Sequence, residues 1–288
     1  YIQMMHNKYE AYGAHVDDSV NFQVYNKQNQ TPETVAAVDE TKGQVLSYKG
    51  DIIETYYYST SYGHTGDYEA WNLDKDAYGY LQGVWVRSEE NPIDLSDEKS
   101  FLDYISNVDS ACYESDLKYF RWNTVLDFQG KDETLLHTIA DRKEHQPEAI
   151  SYYKDASKTE TTDSCSNFGS LQAINVVKRN QSGVILELEL EFQNGAVSVQ
   201  SEYNMRAILG CGITNINLLD GSSVEMSILP SAYISIQAKG DGTYAVLGGG
   251  YGHGIGMSQN GAQKLCGQGF DYKRILNYFY QDTELTEL

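Results

Sequence analysis

GVILELELEF, residues 183–192, is the stretch that most limits what this chain can become. Val184, Leu186, Leu188, Leu190 and Phe192 alternate with Glu187, Glu189 and Glu191. A period of two puts the apolar set on one face of a β-strand and the carboxylates on the other. Asn194-Gly195 follows, a strong signal for a tight hairpin turn, and AVSVQS returns as the partner strand. EYNMRAILG (202–210) then reads as a short amphipathic helix capped by Gly210.

The rest of the chain mixes the two periods. Residues 1–12 and 33–42 read as helices, the second closed by Gly43. Residues 44–60 read as a hairpin turning at Lys49-Gly50-Asp51, with Glu54 inside its second strand. It delivers the chain into the polar loop STSYGHTGD (59–67). Ser96-Asp97-Glu98 opens a helix, and YFRWNTVLDF (119–128) reads as a strand. Residues 129–168 are polar and mixed, and one helix plus a loop is expected there. Strands follow near 224–228, 233–238 and 243–247. Ser258 caps a helix through Leu265 with Gly267 as its stop, and Asp271 caps the final helix, YKRILNYFY. The fold class is therefore α+β, with mixed, largely antiparallel sheets and short peripheral helices in one composite domain over 1–288. Within it, 93–168 is the more variable helical and loop segment.

Charge narrows the function. Forty-one acids against 21 bases leave a net charge of −20. Phosphate backbones and anionic lipid want Lys and Arg, so nucleic acid and acidic membrane are poor partners. No apolar run approaches a membrane span. Tyr1 begins what reads as the middle of a helix, so an export segment or anchor is expected upstream. The four cysteines, Cys112, Cys165, Cys211 and Cys266, form no CxxC unit, and their scatter favours free thiols over a zinc cluster. Tyrosine is abundant, 24 copies against 8 Phe. That suits a sugar-handling surface, although core packing accounts for most of them.

Two polar loops carry the candidate chemistry. GGGYGHGIGMSQNGA (248–262) follows a strand and precedes a helix, as a phosphate loop would. The dinucleotide spacing fails in every register, and no Gly-Lys-Ser/Thr follows. Two readings stay level: a wide turn with close backbone packing, or a backbone that approaches a ligand while His253 and Gln259 point into a cleft. A Ser-His-Asp triad from Ser59, Ser61 or Ser258 is formally possible, but no nucleophile elbow supports it. Ser59-Thr60-Ser61, with His64 and Asp67, is the second cluster, a plain turn or a site edge.

Pooled, the pieces are specific. STSYGHT, Trp71, FRW, SGVILELEL, NGAVSV, YNMRAILG and the run from Gly250 to Ala262, with Gly269, Tyr272, Ile275, Leu276, Phe279 and Tyr280 behind it, resemble the stage II sporulation protein D family of cell-wall enzymes. The likeness covers nearly the whole chain. It implies a long substrate groove and lytic transglycosylase activity. One carboxylic acid protonates the leaving glycosidic oxygen and then acts as base while the sugar's own 6-hydroxyl closes a 1,6-anhydro ring. The implied substrate is peptidoglycan strands already stripped of peptides, during engulfment. The implied partners are a cell-wall amidase and a membrane scaffold protein, and the implied location is extracytoplasmic. No cofactor is implied. The substrate-binding set carried over is Ser59, Thr60, Ser61, His64, Tyr251, His253, Met257, Ser258 and Gln259.

The chain departs from the family in two places. The family's catalytic Glu precedes a helix whose end resembles Tyr1-Ile2, so the acid is expected upstream of Tyr1, and neither Glu54 nor Glu69 replaces it. Where some relatives carry zinc-binding Cys and His, this chain has His15, Asp17, Asn21 and Phe22, a poor donor set, so no metal is expected. Two rivals remain. One is a non-catalytic glycan-binding or amidase-enhancing relative. The other is a wall hydrolase outside sporulation.

Overall fold

The computed structural model describes residues 12–14, 29–89 and 93–287. The expected N-terminal helix and the positions His15, Asp17, Asn21 and Phe22 lie outside the described residues. The helices are α1 (Pro32–Glu40), α2 (Lys75–Tyr78), α3 (Glu98–Ile105), α4 (Asp132–His145), α5 (Glu202–Gly210), α6 (Gln259–Gly267) and α7 (Tyr272–Phe279). Their starts obey local chemistry. Thr31, Asp97, Ser258 and Asp271 each accept a backbone N–H of the first turn of α1, α3, α6 and α7.

The strands are β1 (Gln44–Tyr48), β2 (Asp51–Ile52), β3 (Tyr57–Tyr58), β4 (Trp122–Asp127), β5 (Ile150–Tyr153), β6 (Thr161–Thr162), β7 (Leu171–Arg179), β8 (Ile185–Phe192) and β9 (Gly195–Val199), then β10 (Ile216–Leu218), β11 (Ser223–Val224), β12 (Ile234–Ala238), β13 (Thr243–Gly248), β14 (Met257–Ser258) and β15 (Glu284–Glu287). Two five-stranded sheets run β6-β5-β9-β8-β7 and β11-β10-β4-β13-β12, and a third runs β15-β1-β2. All of these are antiparallel, and β3 with β14 forms a two-stranded parallel pair. The fold is α+β, as the sequence predicts.

One apolar cluster gathers Leu188, Leu190, Val197 and Val199 with Leu135, Ile139, Met205 and Ile208 of α4 and α5. The second is rich in tyrosine and surrounds Tyr62, which stacks on Tyr233 at 4.4 Å. Buried tyrosines place their hydroxyls on carbonyls, Tyr62 on Ser182, Tyr80 on Glu54 and Tyr280 on Tyr56 at 2.7–2.9 Å.

Several expectations change. The hairpin predicted over 44–60 pairs only as far as Ile52. The chain then leaves the sheet, passes Glu54 and re-forms as β3 beside β14. Alternation in GVILELELEF is broken near its start. Glu187 faces Lys178 but Ile185 faces Arg179, so β8 bulges at Leu186. The extra residue reverses the faces. Ile185 joins the first core, while Val184 and Leu186 join the tyrosine core. Segment 129–168 holds two strands besides its helix, and β5 completes a sheet by pairing with β9. Gly267 lies inside α6, which Gln268 caps. The cysteines are free.

Candidate functional site

The two polar loops are joined directly. Thr60 and Tyr251 exchange backbone hydrogen bonds, N–H of Tyr251 to O of Thr60 at 2.8 Å and N–H of Thr60 to O of Tyr251 at 3.2 Å. Gly66 donates to Gly254 at 2.6 Å, and Asn260 donates its N–H to Ser59 and its amide to Thr60 Oγ1. β3 and β14 extend the seam. Along these bonds the two loops are closed on each other. Each loop is a run of backbone whose N–H and C=O groups must be paired, and each pairs the other's.

Glycines let the seam close. At Gly254 a Cβ would overlap the Tyr233 ring, and at Gly256 it would overlap the Tyr56 carbonyl, with φ of +82° and +78°. At these two positions close backbone packing accounts for the glycine.

His253 sits in the seam. Its Nε2–H donates to Tyr57 O at 2.8 Å, and its Nδ1 accepts the Ile255 N–H at 3.1 Å. Both nitrogens are thus occupied by backbone, and burial lowers its pKa. His64 is buried, gives its Nδ1–H to Thr65 O at 2.6 Å and meets Trp85 edge-on. Tyr251 is half-buried and stacks on Tyr119 at 4.4 Å. Met257 and Ser59 are half-buried, Thr60, Ser61 and Ser258 are buried, and Gln259 is exposed.

Beneath the seam lies a residue that no motif marks. Glu114 is fully buried. It accepts the Ser61 N–H at 3.0 Å, the Ser258 hydroxyl at 2.7 Å and the Ser61 hydroxyl. Its partners stand 53 and 144 residues away, so no local pattern could have flagged it. Burial pushes its carboxyl up to about 7, against the pull of the three hydrogen bonds.

The sign of that shift gives a test. The native chain holds a proton that the unfolded carboxyl, near 4.5, has released, so this stability is full below 4.5 and is lost as pH rises through about 7. His64 acts oppositely. Burial pulls it to about 4 from 6.5, so its stability is present above 6.5 and is lost as pH falls toward 4. The two nearly cancel in the wild type. Glu114→Gln removes this opposing carboxyl, so on acidification through that window the variant should lose about 2–3 kcal/mol more unfolding free energy than the wild type. Urea titrations across pH measure it, and parallel profiles for variant and wild type would refute it.

Beside the seam opens a cleft of about 930 Å³. Tyr56, Tyr68, Trp71 and Tyr203 line it with Glu69, Gln146, Glu148, Lys178, Glu187 and Gln200. Trp71 comes from a single 3-10 turn, Tyr68–Trp71, capped by the Asp67 side chain. Its ring meets Tyr56 at 4.9 Å and His253 at 5.0 Å, which joins cleft to seam. Glu187 is paired with Lys158 at 2.9 Å, and its pKa is lowered despite partial burial, so it stays ionised. Asp67 has its pKa raised by burial, and its oxygens are taken by Ser182 and Asn180. Among the described residues no group of three His, Cys, Asp or Glu could hold a metal, and no helix is long and apolar enough to cross a membrane. Of the predicted residues, His253 reaches the cleft through Trp71. The cleft's aromatic wall was not assigned to the site from sequence.

Known proteins resemble the chain along its length. The amidase enhancer of Bacillus subtilis (strain 168) is 26% identical over 288 residues, 95% of this chain and 35% of that protein. Stage II sporulation protein D of the same organism is 23% identical over 288 residues, 96% of this chain and 61% of that protein. Its namesake from Bacillus amyloliquefaciens is 23% identical over 290 residues, covering 96% and 60%. The chain thus spans from 35% to 61% of the length of these curated relatives. They support the resemblance to stage II sporulation protein D drawn from the motifs. A family model described as "Domain of unknown function (DUF8618)" matches residues 62–256, well over half of the chain, and the chain belongs to that family.

Proposed function

We propose that this chain is the glycan-binding body of an extracytoplasmic cell-wall protein of the sporulation protein D type, taking peptide-stripped peptidoglycan strands in the Trp71 cleft. The observation that carries this is the cleft's lining. Aromatic faces stack on the C–H faces of sugar rings, while amides and carboxylates at the rim bond hydroxyls. Tyr56, Trp71 and Tyr203 with Gln146, Gln200 and Glu69 supply both kinds of surface. In the whole protein we assign the chemistry to lytic transglycosylation, with the acid/base Glu upstream of Tyr1, as the resemblance to the sporulation protein D family implies. Glu114 is sealed and Glu187 is paired with Lys158, so neither is assigned that role.

A second reading has its own support. The amidase enhancer matches 95% of this chain, which favours a non-catalytic role beside a cell-wall amidase. The glycan cleft serves both readings.

Binding to amidase-treated sacculi tests the common part. The wild type should bind, and Trp71→Ala should bind at least about tenfold more weakly, because its ring is the cleft's largest apolar face. Wild-type binding no stronger than that of an unrelated acidic protein would sink the proposal. With the longer protein, mass spectrometry of 1,6-anhydro ends separates transglycosylation from amidase stimulation.

A further inference from the structure

Glu114 joins both motif loops through a continuous set of hydrogen bonds. Each serine hydroxyl that donates to its carboxylate also accepts a backbone N–H. Ser61 Oγ accepts from Gly63 at 3.3 Å, and Ser258 Oγ accepts from Gly261 at 3.2 Å. The path Gly63, Ser61, Glu114, Ser258, Gly261 runs from the Ser-Thr-Ser loop into the first turn of α6. A carboxylate only accepts, and it is met here by three donors. The protonated form must donate one bond, so one serine hydroxyl turns to receive it. That turn alters the bond from Gly63 or Gly261.

The surroundings make the carboxyl sensitive. Tyr58 on β3 and Tyr278 on α7 face it, and the Tyr58 hydroxyl is buried without a hydrogen-bond partner among the described residues. Lys264 on α6 is the cation that acts on it, and Lys264 is itself held by Asp116 at 2.6 Å. His64 lies in the same loop and is common to every variant below. The path also reaches the cleft. Tyr56 lines the cleft with its ring, and its carbonyl accepts the Met257 N–H at 3.0 Å, one residue before Ser258.

We propose that Glu114 is a positioning residue for the cleft: through the Ser61 and Ser258 hydroxyls its protonation sets how firmly the seam behind Tyr56 and Trp71 is held, and so makes glycan affinity depend on pH. The link to affinity rests on the glycan reading above. Linkage fixes the direction. Opening the seam releases the ionised carboxylate to water, so ionisation favours opening and weakens binding.

The experiment has two readouts. Amide NMR of Ser61, Gly63 and Gly261 is followed from about pH 5 to about pH 8.5 in the wild type, Glu114→Gln and Glu114→Asp, and affinity for amidase-treated strands is measured alongside. In the wild type the three amides should share one midpoint with the Glu114 carboxyl carbon. Glu114→Gln should abolish that transition, and Glu114→Asp should restore one at a shifted midpoint. Wild-type affinity should fall about three- to tenfold as pH rises through the midpoint and stay level in Glu114→Gln. Amides that ignore the carboxyl, or that titrate unchanged in Glu114→Gln, overturn the proposal, as does pH-independent binding by the wild type. If Glu114→Gln does not fold, the wild-type comparison of carboxyl and amides still decides. Amides that follow Glu114 with no glycan bound at any pH would refute the glycan reading and leave the positioning of the seam standing.

Discussion

Gly256→Ala is expected to cost about 3 kcal/mol or more of stability, enough to unfold a marginal domain. The site leaves no room for a side chain. Gly256 has φ of +78°, where an L-residue pays roughly 1–2 kcal/mol before any contact is counted. Its Cβ would overlap the Tyr56 carbonyl, which is backbone and cannot swing aside. That carbonyl already holds the Met257 N–H and the Tyr280 hydroxyl, so moving it strains two more bonds. Chemical denaturation reads the loss directly. A decrease below about 1 kcal/mol would mean that the seam yields, and that the glycines are not there for packing.

Arg179→Ala should cost about 2–4 kcal/mol. The Arg179 side chain has 0% exposure and ties together α3, β12 and the turn between β7 and β8. It forks onto Glu98 of α3 at 2.6 and 2.9 Å, donates to Gly183 O, and donates to Ile234 O of β12. Its guanidinium lies 3.7 Å from the centre of the Phe101 ring. Removing it strands two carbonyls in the core, where an unpaired acceptor costs far more than a lost surface pair. Arg179→Lys should recover less than half of the loss, because an ammonium keeps the charge but not the planar fork. Equal stability of the Lys variant and the wild type would show that charge alone matters.

What the sequence discloses follows from the range of the interaction that makes each element. Ser258 and Asp271 were readable as caps because a cap bonds an N–H three residues on. The β8–β9 hairpin was readable because Asn194-Gly195 signals a turn there, although the connecting pair is Gln193-Asn194 and Gly195 already faces Phe192. β5, β7 and β15 were not read as strands. β15, for instance, is a strand because β1 offers it an edge, and Thr286 and Val45 are 241 residues apart. The bulge at Leu186 was hidden for a related reason. It is set by the register of β7 against β8, which the alternation of one strand does not record. At the site, the serine and glycine loops were visible as compositions. Their closure on one another, and the carboxyl that both grip, depend on pairings across most of the chain. The cleft wall was legible only as scattered aromatics, because Tyr56, Trp71 and Tyr203 have no common period.

The seam also dictates an order of events during synthesis. Asn260 and Thr60 are bonded to each other yet stand 200 residues apart. A growing chain can complete the β7–β8–β9 meander as soon as Val199 is made, because those pairings are local. Thr60 has no partner across the seam until Tyr251, and then Asn260, have been added. The entropy of closing so long a loop rises only with the logarithm of its length, so the finished molecule tolerates the separation. The rate does not, because distant pairings are the slow ones. Until that moment the Ser-Thr-Ser loop and its tyrosines remain open to other chains, and the cleft beside Trp71 has no back wall. The wall behind the Trp71 cleft is thus closed only after every residue that lines the cleft has been made.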